Sequence, residues 1–223
     1  MFILALDTTT SAGSVALVEG VRVLEVAPID PSQPVATRVP GDLALLLERH
    51  HVSLRQIDLF AVATGPGSFT GLRIGIATMQ GLAFAQQKPL IGVSAFEAMA
   101  SLVDAPRVGV WIDAWRGEVY AAMFARSGDR TLEMTEPPTV DTPDALLARS
   151  ASASTLATTT YIGDAAMKYR DRLARVVEPT PLLAGALASL ANIRAEAGEL
   201  PPPHAVRPLY VRRPDAELAR DRR

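Results

Sequence analysis

The sequence predicts an α/β protein built as two similar lobes, and three observations carry that prediction. Short apolar strands recur along the 223 residues, helical periodicity alternates with them, and a strand–Asp–turn–strand unit appears twice. The first unit is FILALD (2–7), the turn TTTSAG, and the strands SVALVEG and VRVLEV, a meander separated by Gly-containing turns. Residues 28–41 hold Pro28, Pro31, Pro34 and Pro40, which argues against regular structure there. A helix is expected only afterwards, with Asp42 as N-cap and Leu43, Leu46, Leu47 and His50 at helical spacing. LFAVAT (59–64) reads as a buried strand, and a helix runs from Ser68 to about Gln87. LIGV (90–93) is a further strand, and Ser94 caps the helix AFEAMASLV. Near residue 108 the pattern restarts.

VGVWID (108–113) again ends in aspartate, the turn AWRG follows, and EVYAAMFA is the return strand. The remaining elements expected are a strand near 131–134, helix 143–150, strand 159–163, and helices 164–173 and 182–198. The echo is weak enough for chance to produce it. Read as a duplication, it divides the chain into lobes 1–104 and 105–223. It also matches the actin, Hsp70 and sugar-kinase architecture, in which paired hairpins hold ATP phosphates. Architecture alone does not decide function.

Composition removes several functions. There is no cysteine, hence no disulfide, thiolate nucleophile or zinc ribbon. The histidines are His50, His51 and His204, and adjacent residues on a helix point apart, so no metal clamp is expected. Net charge is -2, which argues against unaided nucleic-acid binding. The tail carries Arg207, Arg212, Arg213, Arg220, Arg222 and Arg223, but Asp215, Glu217 and Asp221 interrupt it, so a solvated end is expected. The chain opens on FILAL without a basic n-region, and its most apolar helix, with Gln80 and several glycines, is too short for a bilayer. A soluble cytosolic protein is expected.

Two segments can carry chemistry. In GPGSFTGLRIG (65–75) the glycines suit close backbone packing and Ser68 suits an N-cap. Neither the phosphate loop GxxxxGK[ST] nor the dinucleotide spacing GxGxxG is present, so anion binding is the weaker reading. Along the helix, Gly71, Gly75, Thr78, Leu82 and Ala85 make one stripe, and Leu72, Ile76, Met79 and Ala83 make another that Ile74 and Phe84 widen. Such a helix is either wholly core or shared between its own core and a partner, and the pattern leaves both open. The second segment is the Asp7 hairpin. Asp7 with Thr8, Thr9, Thr10 and Ser11 suits a metal–phosphate group, or simply a self-satisfied turn. In the second hairpin Trp115 fills the space a phosphate would need, although Arg116 can pair with an anion.

Three segments resemble the TsaB (YeaZ) family: ILALDTTTSAGSVAL, AVATGPGSFTGLRIGIATMQGLA and DAWRGEVYAAMF, with weaker likeness in YIGDAAMKYRDRL and PLYVRRPDAE. That resemblance implies a two-lobed actin-like (ribonuclease H-like) fold with a shortened second lobe. It implies a non-catalytic subunit, without cofactor, of the machinery that makes N6-threonylcarbamoyladenosine at adenosine 37 of tRNA. The implied partners are the catalytic paralogue TsaD and the ATPase TsaE, with tRNA reached only through the complex and a homodimer when alone. The implied contact lies on helices 42–51 and 69–86, through Leu43, Leu46, Leu47, Phe69, Gly71, Leu72, Arg73, Gly75, Ile76, Thr78, Met79 and Leu82. Where the family commonly has His-Ser-Glu, this chain has Pro34-Val35-Ala36. The alternative from the residues is an ATP-binding enzyme of the actin/sugar-kinase architecture.

Overall fold

The computed structural model of the chain describes residues 1–10, 12–30, 32–127, 131–153 and 155–212. Ser11 and the tail beyond Arg212 therefore lie outside the described residues. The strands of the first sheet are β1 (Phe2–Asp7), β2 (Ser14–Glu19), β3 (Arg22–Pro28), β4 (Ile57–Ala63) and β5 (Leu90–Val93), in the order β3-β2-β1-β4-β5. β1, β2 and β3 pair antiparallel, while β1, β4 and β5 pair parallel. Alternation along β1 builds both faces. Leu4 and Leu6 enter one core with Phe60 and Val62, while Ile3 and Ala5 enter the other with Leu59 and Ala61.

Helices α1 (Val35–Arg49) and α2 (Phe69–Gln86) cover the first face, contributing Val39, Leu43, Leu46, Leu47, Leu72, Ile76 and Met79. Helix α3 (Ala95–Ser101) is held at its start by a reciprocal pair: the Ser94 hydroxyl accepts from Glu97 N at 3.1 Å, and Glu97 Oε2 accepts from Ser94 N at 3.1 Å.

α1 begins a full turn and more before the expected Asp42, with Pro40 inside it. The reason is the apolar stripe, which does not stop at the proline. Val39 is fully buried and sits one turn before Leu43, so burial extends the helix backward despite the missing amide at Pro40. Asp42 is consequently a mid-helix residue rather than a cap.

The second sheet uses β6 (Arg107–Asp113), β7 (Val119–Arg126), β8 (Leu132–Asp141), β9 (Thr160–Ile162) and β10 (Arg175–Val177) in the order β10-β9-β6-β7-β8. β6, β7 and β8 pair antiparallel, and β6, β9 and β10 pair parallel. This is the first sheet's connectivity over again, so the echo between the hairpins marks a real repeat of the actin-like α/β lobe. β8 is longer than the expected 131–134 because it crosses Pro137 and Pro138. As the edge strand it needs fewer amides, and the register shifts around Met123 absorb the irregularity. β10 has three residues and gave no readable period. Helices α4 (Pro143–Ser152) and α5 (Asp164–Lys168) complete this unit, with a 3₁₀ turn at Arg170–Arg172.

The last helix, α6 (Ala184–Glu196), departs from the division at 104/105. Contacts group Met1–Ala98 with Thr180–Pro208, and Met99–Pro179 with the described residues from Leu209 to Arg212. α6 buries Ala184, Leu187, Ala188 and Ala191 against Ile3, Val18 and Val93 of the first sheet. Ala184 N donates to the buried Ser14 hydroxyl at 3.0 Å, and Arg194 reaches Gly92 O at 2.9 Å and Glu97 Oε1 at 2.6 Å.

Pro40→Ala restores a backbone donor inside α1, and the expected result is a gain of about 1–3 kcal/mol in urea-unfolding stability. A loss would mean the proline bend is needed to seat Val39.

Candidate partner-binding site

The β1–β2 turn is built on Asp7, which is fully buried. Its Oδ1 accepts from Thr9 N at 2.8 Å and the Thr9 hydroxyl at 2.6 Å, and its Oδ2 accepts from the Thr10 hydroxyl at 2.8 Å. Thr10 Oγ1 in turn accepts from Gly13 N at 3.1 Å. Burial holds the Asp7 carboxyl above its ordinary 3.8, outweighing the Thr9 and Thr10 donors that favour the anion. Both carboxylate oxygens are thus engaged by the turn itself.

The same turn is pressed against α2. The Ser68 hydroxyl caps the helix by accepting from Gly71 N at 3.2 Å, and Ser68 N donates to Thr9 O at 3.1 Å. The Thr8 hydroxyl donates to Gly71 O at 2.8 Å. A Cβ on Gly67 would lie 2.4 Å from Thr9 O, one on Gly71 2.2 Å from Thr8 O, and one on Gly75 2.2 Å from Thr8 Oγ1. The glycines therefore admit the chain's own first turn, whose Thr8 and Thr9 carbonyls face α2.

This placement corrects the expected contact face. Leu43, Leu46, Leu47, Gly71, Leu72, Gly75, Ile76 and Met79 are all buried within the first unit. On the outer side of α2 stand Phe69 (47% exposed) and Arg73, with Thr78 and Leu82 at its margins. The Arg73 guanidinium lies 4.1 Å from the Phe69 ring centroid. The sequence reading missed Ala77, Gly81 and Leu45 of α1 (52% exposed) on this face, and took Phe84, 78% exposed, as part of an apolar stripe without assigning it to the contact. A helical wheel finds them once Gly71 and Gly75 are known to point inward, because residues 73, 77, 81 and 84 fall opposite.

The second hairpin is shaped differently. Trp115 and Arg116 have φ of 55° each and Gly117 has φ of 78°, so two bulky residues adopt a left-handed conformation that costs about 1 kcal/mol or more apiece. Asp113 Oδ1 accepts from Trp115 N at 2.8 Å, and its Oδ2 pairs with Lys168 Nζ at 3.2 Å. Trp115 is 55% exposed. Among the described residues no group of three or more His, Asp or Glu side chains is arranged to hold a metal, and no helix is long and apolar enough to cross a membrane.

Gly71→Ala should cost about 1–3 kcal/mol through overpacking against a backbone carbonyl. Gly75→Ala should be partly rescued by Thr8→Ala, which removes the obstructing hydroxyl, whereas Gly71→Ala should not. Urea unfolding of the four chains checks this. Asp7 gives a pH prediction as well. Its folded pKa is raised, so its contribution is full below pH 3.8 and is lost as pH climbs through the raised value. The stability difference between the wild type and Asp7→Asn should therefore shift toward the wild type as pH falls from 7 to about 4.

Comparison with known proteins gives these features a lineage. The family described as tRNA N6-adenosine threonylcarbamoyltransferase (TsaD) matches residues 26–220. The tRNA threonylcarbamoyladenosine biosynthesis protein TsaB of Escherichia coli is 39% identical over 63% of this chain and 64% of its own length, and that of Haemophilus influenzae is 38% identical over 58% and 56%. The chain thus spans less than two thirds of the curated relatives it matches. A Pseudomonas aeruginosa structure, described as similar to the peptidase YEAZ, superposes with a TM-score of 0.80 at 31% identity, covering 95% of this chain and 99% of that one. Component A of Acidaminococcus fermentans (R)-2-hydroxyglutaryl-CoA dehydratase, at 9% identity and TM-score 0.53, shares the fold alone. With the family match spanning most of the sequence and a full-length structural relative above 30% identity, the chain belongs to the TsaB (YeaZ) family, within the wider TsaD group.

Proposed function

We propose that this protein is a non-catalytic subunit, working in the cytoplasm, that binds and activates a TsaD-like catalytic subunit in threonylcarbamoylation of adenosine 37 of tRNA. The observation that carries the reading is the outer face of α2. Phe69, Ala77, Gly81 and Phe84 expose apolar and small side chains on a helix whose other side is already buried. Small residues at its centre let a second helix approach closely, and an aromatic at each end supplies the anchors typical of interface hot spots. The same face suits a homodimer in the absence of the catalytic subunit. A TsaE-like ATPase joins the assembly, and tRNA is met only within it.

The alternative, an ATP-binding enzyme, is less well supported by the hairpins. In the first, Asp7 is saturated by Thr9 and Thr10 and the turn is backed by α2; in the second, Asp113 is tied to Lys168 and the turn carries Trp115.

Size-exclusion chromatography with the cognate TsaD-like subunit tests the reading. Ala77→Arg and Phe84→Glu should abolish co-elution, and Arg73→Glu should weaken it, each with an unchanged melting temperature. Gly75→Leu is expected to unfold the chain instead. Failure to form a complex, together with ATP hydrolysis well above background by the isolated chain, would overturn the proposal.

A further inference from the structure

The chain that follows α6 returns to the flank of α2 as a strap over residues 200–206, ending in a 3₁₀ turn at Pro203–Ala205. Pro201, Pro202 and Pro203 have no N–H, so this stretch accepts hydrogen bonds without donating any. The donors come from the elements it lies against. Leu90 N of β5 donates to Pro201 O at 3.4 Å. Gln80 Nε2 donates to Pro203 O at 3.0 Å and to Val206 O at 3.1 Å, which uses both of its hydrogens. The Val206 side chain is buried in the first core, and a Cβ on Gly92 would lie 3.0 Å from it. One side chain of α2 thus latches a strap that has few bonds of its own.

Gln80 stands one residue before Gly81 and four before Phe84, at the margin of the outward face of α2. Nearby, the last turn of α2 and the strap border a groove of about 670 Å³, within the roughly 300–1,000 Å³ common for binding clefts. Phe84 and Ala85 line it from the helix, and Leu200 and the three prolines line it from the strap. Leu200 is 56% exposed. Lys88, the one charged residue in the lining among the described residues, is paired with Asp58 at 3.3 Å, which leaves apolar side chains as the fitting occupant. A groove with one wall on a helix and the other on a strap exists only while the strap is held down.

Resting on the reading of the α2 face as the contact with a TsaD-like catalytic subunit, we propose that the strap is the second wall of that contact and Gln80 its latch. Apolar side chains of the subunit enter between Phe84 and the prolines, and they find both walls only in the latched form. Binding of the subunit and holding of the strap are therefore linked, each favouring the other by the same factor. The groove is assigned to this subunit because it continues the α2 face through Phe84, which belongs to both.

Hydrogen exchange of the full chain, alone and with the catalytic subunit, is the test, together with calorimetric titration of that subunit. Gln80→Leu removes both latch donors and keeps a side chain of similar size. In the free chain it should speed exchange at the Ala205 and Val206 amides roughly fivefold or more, with Met79 unchanged. Saturating subunit should slow exchange at Ala205 and Val206 in the wild type and in Gln80→Leu alike. Leu200→Glu, at an exposed site, should weaken the complex roughly tenfold or more with the melting temperature unmoved. Wild-type affinity in Leu200→Glu, while Ala77→Arg still abolishes binding, overturns the proposal and leaves the α2 reading standing. Wild-type affinity in Ala77→Arg as well, or no complex at all, overturns both. Unchanged exchange at Ala205 and Val206 in free Gln80→Leu, or exchange there that the bound subunit does not slow, also overturns the proposal. So does protection of the strap that appears on concentrating the chain alone, which would give the groove to a second copy.

Discussion

Everything in the first unit hangs on the contact between Thr8 and the glycines of α2. The Thr8 side chain donates to Gly71 O, while the Thr8 carbonyl stands where a Cβ of Gly71 would be and the Thr8 hydroxyl where a Cβ of Gly75 would be. That contact fixes how deeply α2 sinks onto the sheet, and with it the depth at which Leu72, Ile76 and Met79 enter the core. It also fixes which side of the helix is left outside. Glycine costs about 1 kcal/mol of helix propensity against alanine, and the burial it permits offsets that cost. A rotation of α2 by one residue would replace glycine with Leu72 or Ile76 at the turn and is sterically blocked. The helix therefore has a single seat, and its outer face is set by the inner one.

The two hairpins illustrate how a duplicated lobe diverges. Both sheets share one connectivity, and both first strands end in aspartate. In the first hairpin the aspartate is buried and its oxygens collect hydroxyl and amide donors from the turn. In the second it is partly exposed, bonded to Trp115 N and to Lys168. A buried carboxylate wants its partners close and local, while a half-exposed one can use a lysine from a neighbouring helix. The same backbone device has been turned to two different structural ends.

Much of the fold was legible because a short continuous apolar run bounded by turn residues is a strong local signal. FILALD and LIGV match β1 and β5 residue for residue, and both are buried at every position but Phe2 and Gly92. Ser68 and Ser94 were legible as caps because a hydroxyl before an apolar run has a direct chemical use. The start of α1 was not, since a proline rule of local origin competed with burial of Val39, and burial won. The outward face of α2 was unreadable for a different reason. The helix is apolar nearly all round, so only the identity of the residue opposite its glycines could orient it, and that residue is 63 positions away in sequence. The register shift of β7 against β8, opposite Pro137 and Pro138, depends on pairing between strands and is not visible in either one alone.

The return of α6 to the first sheet has a bearing on how the chain acquires its structure during synthesis. Ile3 and Leu187 share one core, yet residues Met99–Pro179 of the second unit are threaded between them in sequence. A nascent chain with only its first hundred residues free of the ribosome has the sheet's second face uncovered, with Ala5, Ala61 and Val93 exposed to any apolar surface nearby. The second unit, continuous from Met99 to Pro179 apart from the described residues Leu209 to Arg212, can gather most of its contacts earlier. Assembly of the first unit is thus a late, long-range event with a large loop-closure cost. The N-terminal sheet is the part of this molecule for which a waiting chaperone has the most to hold.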